Sequence, residues 1–193
     1  EEMDFDMLIA HAAMWADIPH MVRRFKNFKR LSPLGYVSKV RKGHDGYRFD
    51  DQPIKGRWVF DSAIRGSDGT GFERVWMDSG NGQFPSRKLG DIGEHLGLGT
   101  KDDVDLTNDW TDNFYRLTDY CVQDVQLMKD IDDYLSATDF FINMVRFCGV
   151  SFTSTYEVGK FARGLVYRRT GLVFPTRSKD RRRERGSVKG ATV

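Results

Sequence analysis

The sequence lacks the features that mark membrane, secreted or disulfide-stabilised proteins. It contains no run of about 18 apolar residues, so a membrane-spanning helix is excluded. The first ten residues include four acidic residues and no basic residue, which is not the pattern of a signal peptide. The only two cysteines, Cys121 and Cys148, fit neither a metal-binding spacing nor a disulfide framework. We therefore expect an intracellular protein with both thiols reduced and in its core.

The composition is that of a globular protein whose charge is unevenly distributed. Hydrophobic residues make up 39% of the chain and aromatic residues 13%, and 193 residues are enough for a substantial core. The net charge is only +2, yet six basic and two acidic residues lie between Arg177 and Arg185. Such a run either contacts a phosphate backbone or serves as a solvated connector, and the sequence leaves both open.

The first half of the chain predicts a mixture of strands and one amphipathic helix. An apolar strand is expected at residues 7–10, followed by Asp17, which is placed to cap a helix that reaches Phe28. Polar and apolar residues alternate at 36–40, turn residues follow at 43–46, and a second strand is expected at 47–49, which together predict a hairpin. Residues 57–61 predict another strand. The glycine-rich residues 65–83 predict a long loop or loose hairpin.

The second half predicts helices. A short helix is expected from Leu89 to Leu96, then a polar loop at residues 101–105. Apolar residues recur at helical spacing from Phe114 to Ile131, and two further amphipathic helices are expected near 138–148 and 156–169. Within the long helix, Tyr120 and Asp124 are four residues apart, so they share one face.

Residues 8–21 resemble the second exonuclease motif of family B DNA polymerases. In that motif an apolar strand leads to Tyr-Asn-x-x-x-Phe-Asp, and a helix opens with Leu-Pro or Ile-Pro. Asp17 matches the metal-binding aspartate of the motif, and Ile18-Pro19 matches the helix opening. Ala12 takes the place of the asparagine and Ala16 that of the aromatic residue, with Trp15 as an adjacent aromatic.

Residues 120–124 match the third motif of the same family, Tyr-x-x-x-Asp, at both Tyr120 and Asp124. Four other segments resemble family elements and occur in the family's order along the chain: residues 31–36, 56–61, 88–92 and 188–191. This order is more specific than any single motif, because Tyr-x-x-x-Asp alone would occur often by chance.

The resemblance implies an α/β, RNase H-like (DnaQ-like) exonuclease fold that is incomplete at its N-terminus and occupies residues 1–137. Residues 138–193 would then be a helical connector toward the polymerase palm. The implied function is that of a proofreading domain of a DNA-directed DNA polymerase, which hydrolyses the primer 3′ end from 3′ to 5′.

The resemblance also implies the chemistry of the site. Two Mg²⁺ or Mn²⁺ ions would ready the attacking water and stabilise the leaving oxygen, with Asp17 and Asp124 as ligands and the Tyr120 hydroxyl at the water or phosphate. Lys189, Gly190 and Ala191 would contact DNA. The family's other two acids come from an Asp-x-Glu sequence, which does not occur here. We expect that motif upstream of residue 1, both ends to be cut, and little or no nuclease activity in the isolated chain.

The expected partners are primer–template DNA and its single-stranded 3′ end, with a processivity factor as a further partner and no membrane. The expected location is the cytoplasm of a prokaryote or of a virus-infected host cell.

Two other interpretations stay open. The missing asparagine at Ala12 suits a degenerate exonuclease that binds DNA without editing, and a stand-alone RNase H-like nuclease is a third possibility. Among single residues, His11 and His20 are expected to be structural, and Asp61 to be structural or to support the site.

Overall fold

The computed structural model describes residues 4–25, 27–43, 46–49, 52–63, 71–101, 114–152 and 158–172. Residues 173–193 lie outside these ranges, so the predictions for the basic run and for Lys189, Gly190 and Ala191 have no structural counterpart here. None of the described helices is both long and apolar enough to cross a bilayer.

The described strands form two small sheets. β1 (Met7–Ala10) pairs in parallel with β4 (Trp58–Asp61), with Met7 opposite Trp58 and Ala10 opposite Asp61. β2 (Arg41–Gly43) and β3 (Gly46–Arg48) form an antiparallel hairpin. β1 and β4 are as the sequence predicts, and β3 lies close to the expected return at 47–49, but the first strand of the hairpin is Arg41–Gly43. The strand expected at residues 36–40 is wrong: only Val37 makes a bridge there, to Ile54.

Six α-helices lie in the described part of the chain. Their bounds are α1 Ile18–Arg24, α2 Phe72–Asp78, α3 Leu89–His95, α4 Phe114–Leu135, α5 Ala137–Cys148 and α6 Val158–Thr170. A five-residue π-helical turn, Ala13–Asp17, leads into α1, and a 3₁₀ turn, Phe28–Leu31, follows it.

The α3, α4, α5 and α6 helices confirm the sequence prediction, but two helical predictions are wrong. α1 ends at Arg24 and not at Phe28, because Phe25 is already extended. The expected loop at residues 65–83 contains α2, whose Phe72 and Val75 are buried one turn apart. The glycines around α2 concealed this helical spacing, which α2 uses to bury one face.

Two apolar clusters occupy the two faces of the β1–β4 pair. The larger one joins β4 to α2, α3, α4 and α5 through a set of buried residues that includes Phe60, Phe72, Ile92, Ile131 and Phe141. The smaller one packs the π-helical turn and α1 on the other face of β4, through Met14, Ile18, Ile54 and Val59. Neighbouring strand residues point to opposite faces, which is why Val59 and Phe60 enter different clusters.

The mixed α/β class of the chain is confirmed, whereas the RNase H-like topology stays a prediction. The boundary after residue 137 also stays a prediction, although Phe141 of α5 packs against Phe60 with ring centroids 5.8 Å apart. Of the two cysteines expected in the core, Cys148 is buried but Cys121 is exposed, because it lies on the outer face of α4.

Candidate functional site

A pocket of about 660 Å³ opens at the carboxyl end of β1. This volume is typical of sites that bind small molecules or parts of larger ones. The residues that line it and carry chemistry come from four segments of the chain: His11, Trp15, Asp17, Arg87, Lys88, Lys101 and Asp124. Asp17 and Asp124 therefore border one cavity, although 107 positions separate them in the sequence.

Asp17 reaches this pocket at the end of the π-helical turn. Ala12 begins the turn in the left-handed conformation, with φ of 66°, which is unusual for a residue other than glycine. The N–H of Ile18 then donates to the carbonyl of Ala13, so the turn continues directly into α1. Asp17 has helical backbone angles and makes no side-chain capping bond, so its predicted role as N-cap is wrong. Because it caps no helix, the Asp17 side chain is available to line the pocket.

Asp61, the last residue of β4, holds this turn in place. It is fully buried, and its carboxylate accepts hydrogen bonds from the N–H groups of Ala12 (2.9 Å), Met14 (2.7 Å) and Ala63 (3.0 Å). The bonds from Ala12 and Met14 fix the left-handed residue and the start of the turn to the end of the strand, whereas the bond from Ala63 is local to the chain after β4. Asp61 therefore positions Asp17, and we identify it as the principal support of the first half of the site.

His11 connects three segments around the pocket. Its Nδ1 lies 2.8 Å from the Ser62 hydroxyl, and its Nε2 lies 2.8 Å from the Arg87 carbonyl, to which it donates. Burial lowers the pKa of His11, against smaller opposing effects of that hydrogen bond and of the charge on Asp61. A neutral ring suits both contacts, and the structural role expected for His11 agrees with them.

On the other side of the pocket, α4 presents Asp124; Tyr120 lies one turn earlier on α4 and does not itself line the pocket. Lys101 Nζ donates to the Tyr120 hydroxyl at 2.6 Å and forms an ion pair with Asp124 Oδ1 at 3.1 Å. Burial works to lower the pKa of Lys101, but Tyr120 and Asp124 together outweigh it and raise that pKa. The buried Oδ1 of Asp124 therefore has the Lys101 ammonium as its charged partner.

The electrostatics around Asp17 favour a cation. Burial raises the pKa of Asp17, and the negative charge of Asp61 raises it further. A carboxylate in such surroundings is stabilised when a positive charge approaches. Asp17 and Asp124 offer the oxygen ligands that Mg²⁺ and Mn²⁺ prefer, and both line the pocket.

Two carboxylates do not make a complete metal cage. No group of three or more His, Cys, Asp or Glu side chains with suitable placement occurs within the described ranges. The residues present therefore fit part of a divalent-ion site, with room for ligands from water or from another segment. Magnesium commonly keeps several water ligands, so such a partial set is chemically reasonable.

Sequence reasoning did not find Lys101, whereas the hydrogen bonds of Asp61 agree with the structural or supporting role expected for it. Lys101 stands in a polar segment with no periodicity, and nothing in the sequence relates it to Tyr120. Asp61 carried a signal, because it ends a buried strand parallel to the strand before Asp17. Of the other sequence-predicted site residues, Tyr120 borders Lys101 and Asp124.

Comparison with known proteins gives one informative similarity. The chain is similar to the DNA polymerase delta catalytic subunit of Glycine max, with 25% identity over an alignment of 205 residues. The alignment covers all of this chain and 19% of that protein, so the chain spans about a fifth of its relative's length. No protein-family model matches the sequence. The chain is thus distantly similar to one segment of a DNA polymerase catalytic subunit, a family B polymerase.

Proposed function

We propose that this chain is the later part of the 3′→5′ exonuclease domain of a DNA-directed DNA polymerase. The similarity to a polymerase catalytic subunit supports the polymerase part of the proposal. The exonuclease part is carried by one observation: Asp17 and Asp124, which are 107 positions apart in the sequence, line one pocket.

The reaction would be hydrolysis of the last phosphodiester at a primer's single-stranded 3′ end. Water adds to phosphorus and the bond to the leaving 3′ oxygen breaks, which releases a nucleoside monophosphate and leaves a shortened strand with a 3′ hydroxyl. When bound, divalent ions supply the charge that lowers the pKa of water and stabilises the leaving oxygen.

The chain's own residues have distinct parts in this proposal. Asp17 and Asp124 would hold the ions, with Asp17 fixed indirectly by Asp61. The Tyr120 hydroxyl, held by Lys101, would orient the water or the phosphate. Lys101, Arg87 and Lys88 place positive charge around the pocket, which would attract the phosphates of a DNA strand.

A second candidate is a degenerate exonuclease domain that binds DNA or supports the polymerase without editing. Ala12 favours it: the residue lines the pocket in the left-handed conformation and offers no side-chain amide. The retention of two pocket carboxylates favours the active domain.

Ion binding can be tested on this chain without any cleavage assay. Tb³⁺ bound near an indole is detected by luminescence on tryptophan excitation, and Trp15 lines the same pocket as both carboxylates. We expect a signal that Mg²⁺ or Mn²⁺ displaces, and that Asp17→Asn and Asp124→Asn each weaken at least about tenfold. Asp78→Asn changes an exposed acid paired with Arg74 and serves as the matched control.

Trp15→Phe should remove the luminescence but leave ion affinity, measured by calorimetry, unchanged. Equal signals from Asp78→Asn and Asp124→Asn would show that the ion binds elsewhere and would refute the site.

Activity separates the two candidates. In the longer protein that supplies the remaining acids, Asp124→Ala should abolish excision of a 3′-labelled primer while polymerisation continues. Excision that persists in Asp124→Ala contradicts the active-exonuclease proposal. Absence of excision in the unmutated protein, with DNA binding intact, would favour the degenerate domain.

A further inference from the structure

The longest acid-free stretch of the sequence, which is also rich in basic residues, lies directly after Asp17. Residues 18–44 include eight Lys or Arg and no Asp or Glu, while the whole chain has a net charge of only +2. This segment contains α1, the 3₁₀ turn and the chain that leads to the hairpin. Outside the segment the chain is therefore net acidic, so the basic charge is localised.

Several of these basic side chains are exposed together with apolar ones. Arg24, Lys29, Arg30 and Lys39 are exposed. The aromatic side chains of Phe25 and Tyr36 are 59% and 54% exposed, so neither ring is part of the core. We name Arg24, Phe25, Lys29, Arg30, Tyr36 and Lys39 the basic surface.

The backbone that carries the basic surface is held in place. Ser32 is buried; its hydroxyl donates to the Lys55 carbonyl at 2.6 Å and accepts from the N–H of Leu34 at 3.2 Å. Arg57 Nε donates to the Leu31 carbonyl at 2.6 Å, which ties the end of the 3₁₀ turn to the residue before β4. The exposure of the rings is therefore a property of an anchored segment.

We propose that the basic surface binds a single strand of nucleic acid, with its cations on the phosphates and its exposed rings stacked on bases. Cations interleaved with exposed aromatic rings are what a single strand requires, since its bases are free to stack. A duplex would present only its phosphates to such a surface, because its bases are already paired and stacked. An acidic peptide has no bases on which the rings could stack. The absence of any carboxylate from residues 18–44 removes the repulsion that a phosphate backbone would meet.

The basic surface adjoins the pocket through α1. α1 begins at the residue after Asp17, so the basic surface continues directly from one wall of the pocket. A strand whose end enters the pocket would then leave over α1. The inference extends the proposed hydrolysis but does not need it, because strand binding can be measured without cleavage.

The test is the binding of a fluorescein-labelled 20-mer of deoxythymidylate to the full chain in EDTA, followed by anisotropy between 50 and 200 mM salt. We expect the triple variant R24Q/K29Q/R30Q to bind about tenfold or more weakly at 100 mM salt. Its slope of log affinity against log salt should fall by about 2, because each single-strand phosphate contact contributes about 0.7.

The matched control removes the same charge elsewhere. Lys129, Arg163 and Arg169 are exposed on α4 and α6, and K129Q/R163Q/R169Q should reduce binding less than about twofold. Equal losses in the two triple variants would overturn the inference, because the effect would then be one of net charge. A larger loss from R181Q/R182Q/R183Q, in the basic run near the end of the sequence, would also overturn it.

Stacking is tested separately by F25A/Y36A. We expect about tenfold weaker binding of the single strand with an unchanged salt slope, since no phosphate contact is lost. A duplex or heparin that binds as tightly as the single strand, or F25A/Y36A without effect, would refute a single-strand site. Thermal unfolding of each variant checks that these surface changes leave the fold intact. Loss of the Tb³⁺ signal with intact strand binding would remove the proposed nuclease and leave this inference standing.

Discussion

The segment that carries Asp17 and the helix that carries Asp124 differ in what holds them in shape. Asp17 follows a left-handed alanine and a π-helical turn, both fixed by the buried carboxylate of Asp61. Asp124 lies in the middle of a regular 22-residue helix, where backbone hydrogen bonds alone set its distance from Tyr120. The local geometry around Asp17 therefore depends on tertiary contacts. The local geometry around Asp124 is set by its helix, and tertiary contacts determine only where that helix lies.

The largest test of this difference is Asp61→Ala. Three N–H groups lose their acceptor, and Met14 N–H is buried, so we expect the free energy of unfolding to fall by about 3 kcal/mol. Asp124→Ala should cost less than about 1 kcal/mol, because it removes only a partly exposed ion pair with Lys101. Urea unfolding of both variants measures the contrast. Similar losses of unfolding free energy in the two variants would mean that the Asp17 turn and the Asp124 helix are stabilised to the same degree by their side-chain contacts.

The placement of α4 is tested by Gly93→Ala in α3. An added Cβ would lie 2.6 Å from the Gly99 carbonyl and 2.8 Å from Leu127 Cδ1, so α3 and α4 would have to separate. We expect a loss of about 1–2 kcal/mol and weaker Tb³⁺ binding at the pocket. Gly159→Ala in α6 has nothing within 4 Å of its added Cβ and should stabilise the protein by about 0.5 kcal/mol. A stabilising Gly93→Ala would contradict the close approach of these helices.

A pH dependence should arise on the Asp17 side through His11. Its pKa is lowered in the folded state, so between that pKa and about 6.5 the unfolded chain binds more protons. The contribution of His11 to stability is present above about pH 6.5 and is lost as the pH falls, by at most about 1.4 kcal/mol per pH unit. Urea unfolding at several pH values should show this slope in the original protein. A slope unchanged by His11→Gln would exclude His11 as its source.

The smallest expected effect comes from Ala12→Asn. Asparagine tolerates the left-handed conformation better than alanine, so we expect a gain of up to about 0.5 kcal/mol. Ala12→Val should cost about 1–2 kcal/mol, because a β-branched residue is strained there. Because Ala12 lines the pocket, the asparagine also introduces the amide that the resembled exonuclease motif carries at this position, and under the proposed function binding of a single-stranded 3′ end should strengthen. Equal stability of the two variants would show that the turn adapts to either residue.

The parts of the fold that sequence predicted well are those with regular periodicity. α4, α5 and α6, the buried strands and the returning strand of the hairpin follow from apolar spacing and turn residues. α2 was missed because the glycines around it outweighed its short apolar pattern, and α1 was predicted too long because Phe25 and Phe28 continued its stripe. Phe25 is in fact exposed, so the stripe in that segment does not mark the core.

By itself the sequence determined that Tyr120 and Asp124 share one face of a helix, because 3.6 residues per turn fixes that relation locally. It also pointed to Asp17 through the order of its motifs. Only the tertiary structure decided that Asp17 and Asp124 share one pocket, that Lys101 contacts Tyr120 and Asp124, and that Asp61 holds the turn that ends at Asp17. Those relations join residues far apart in the chain, and packing of the strands and helices brings them together.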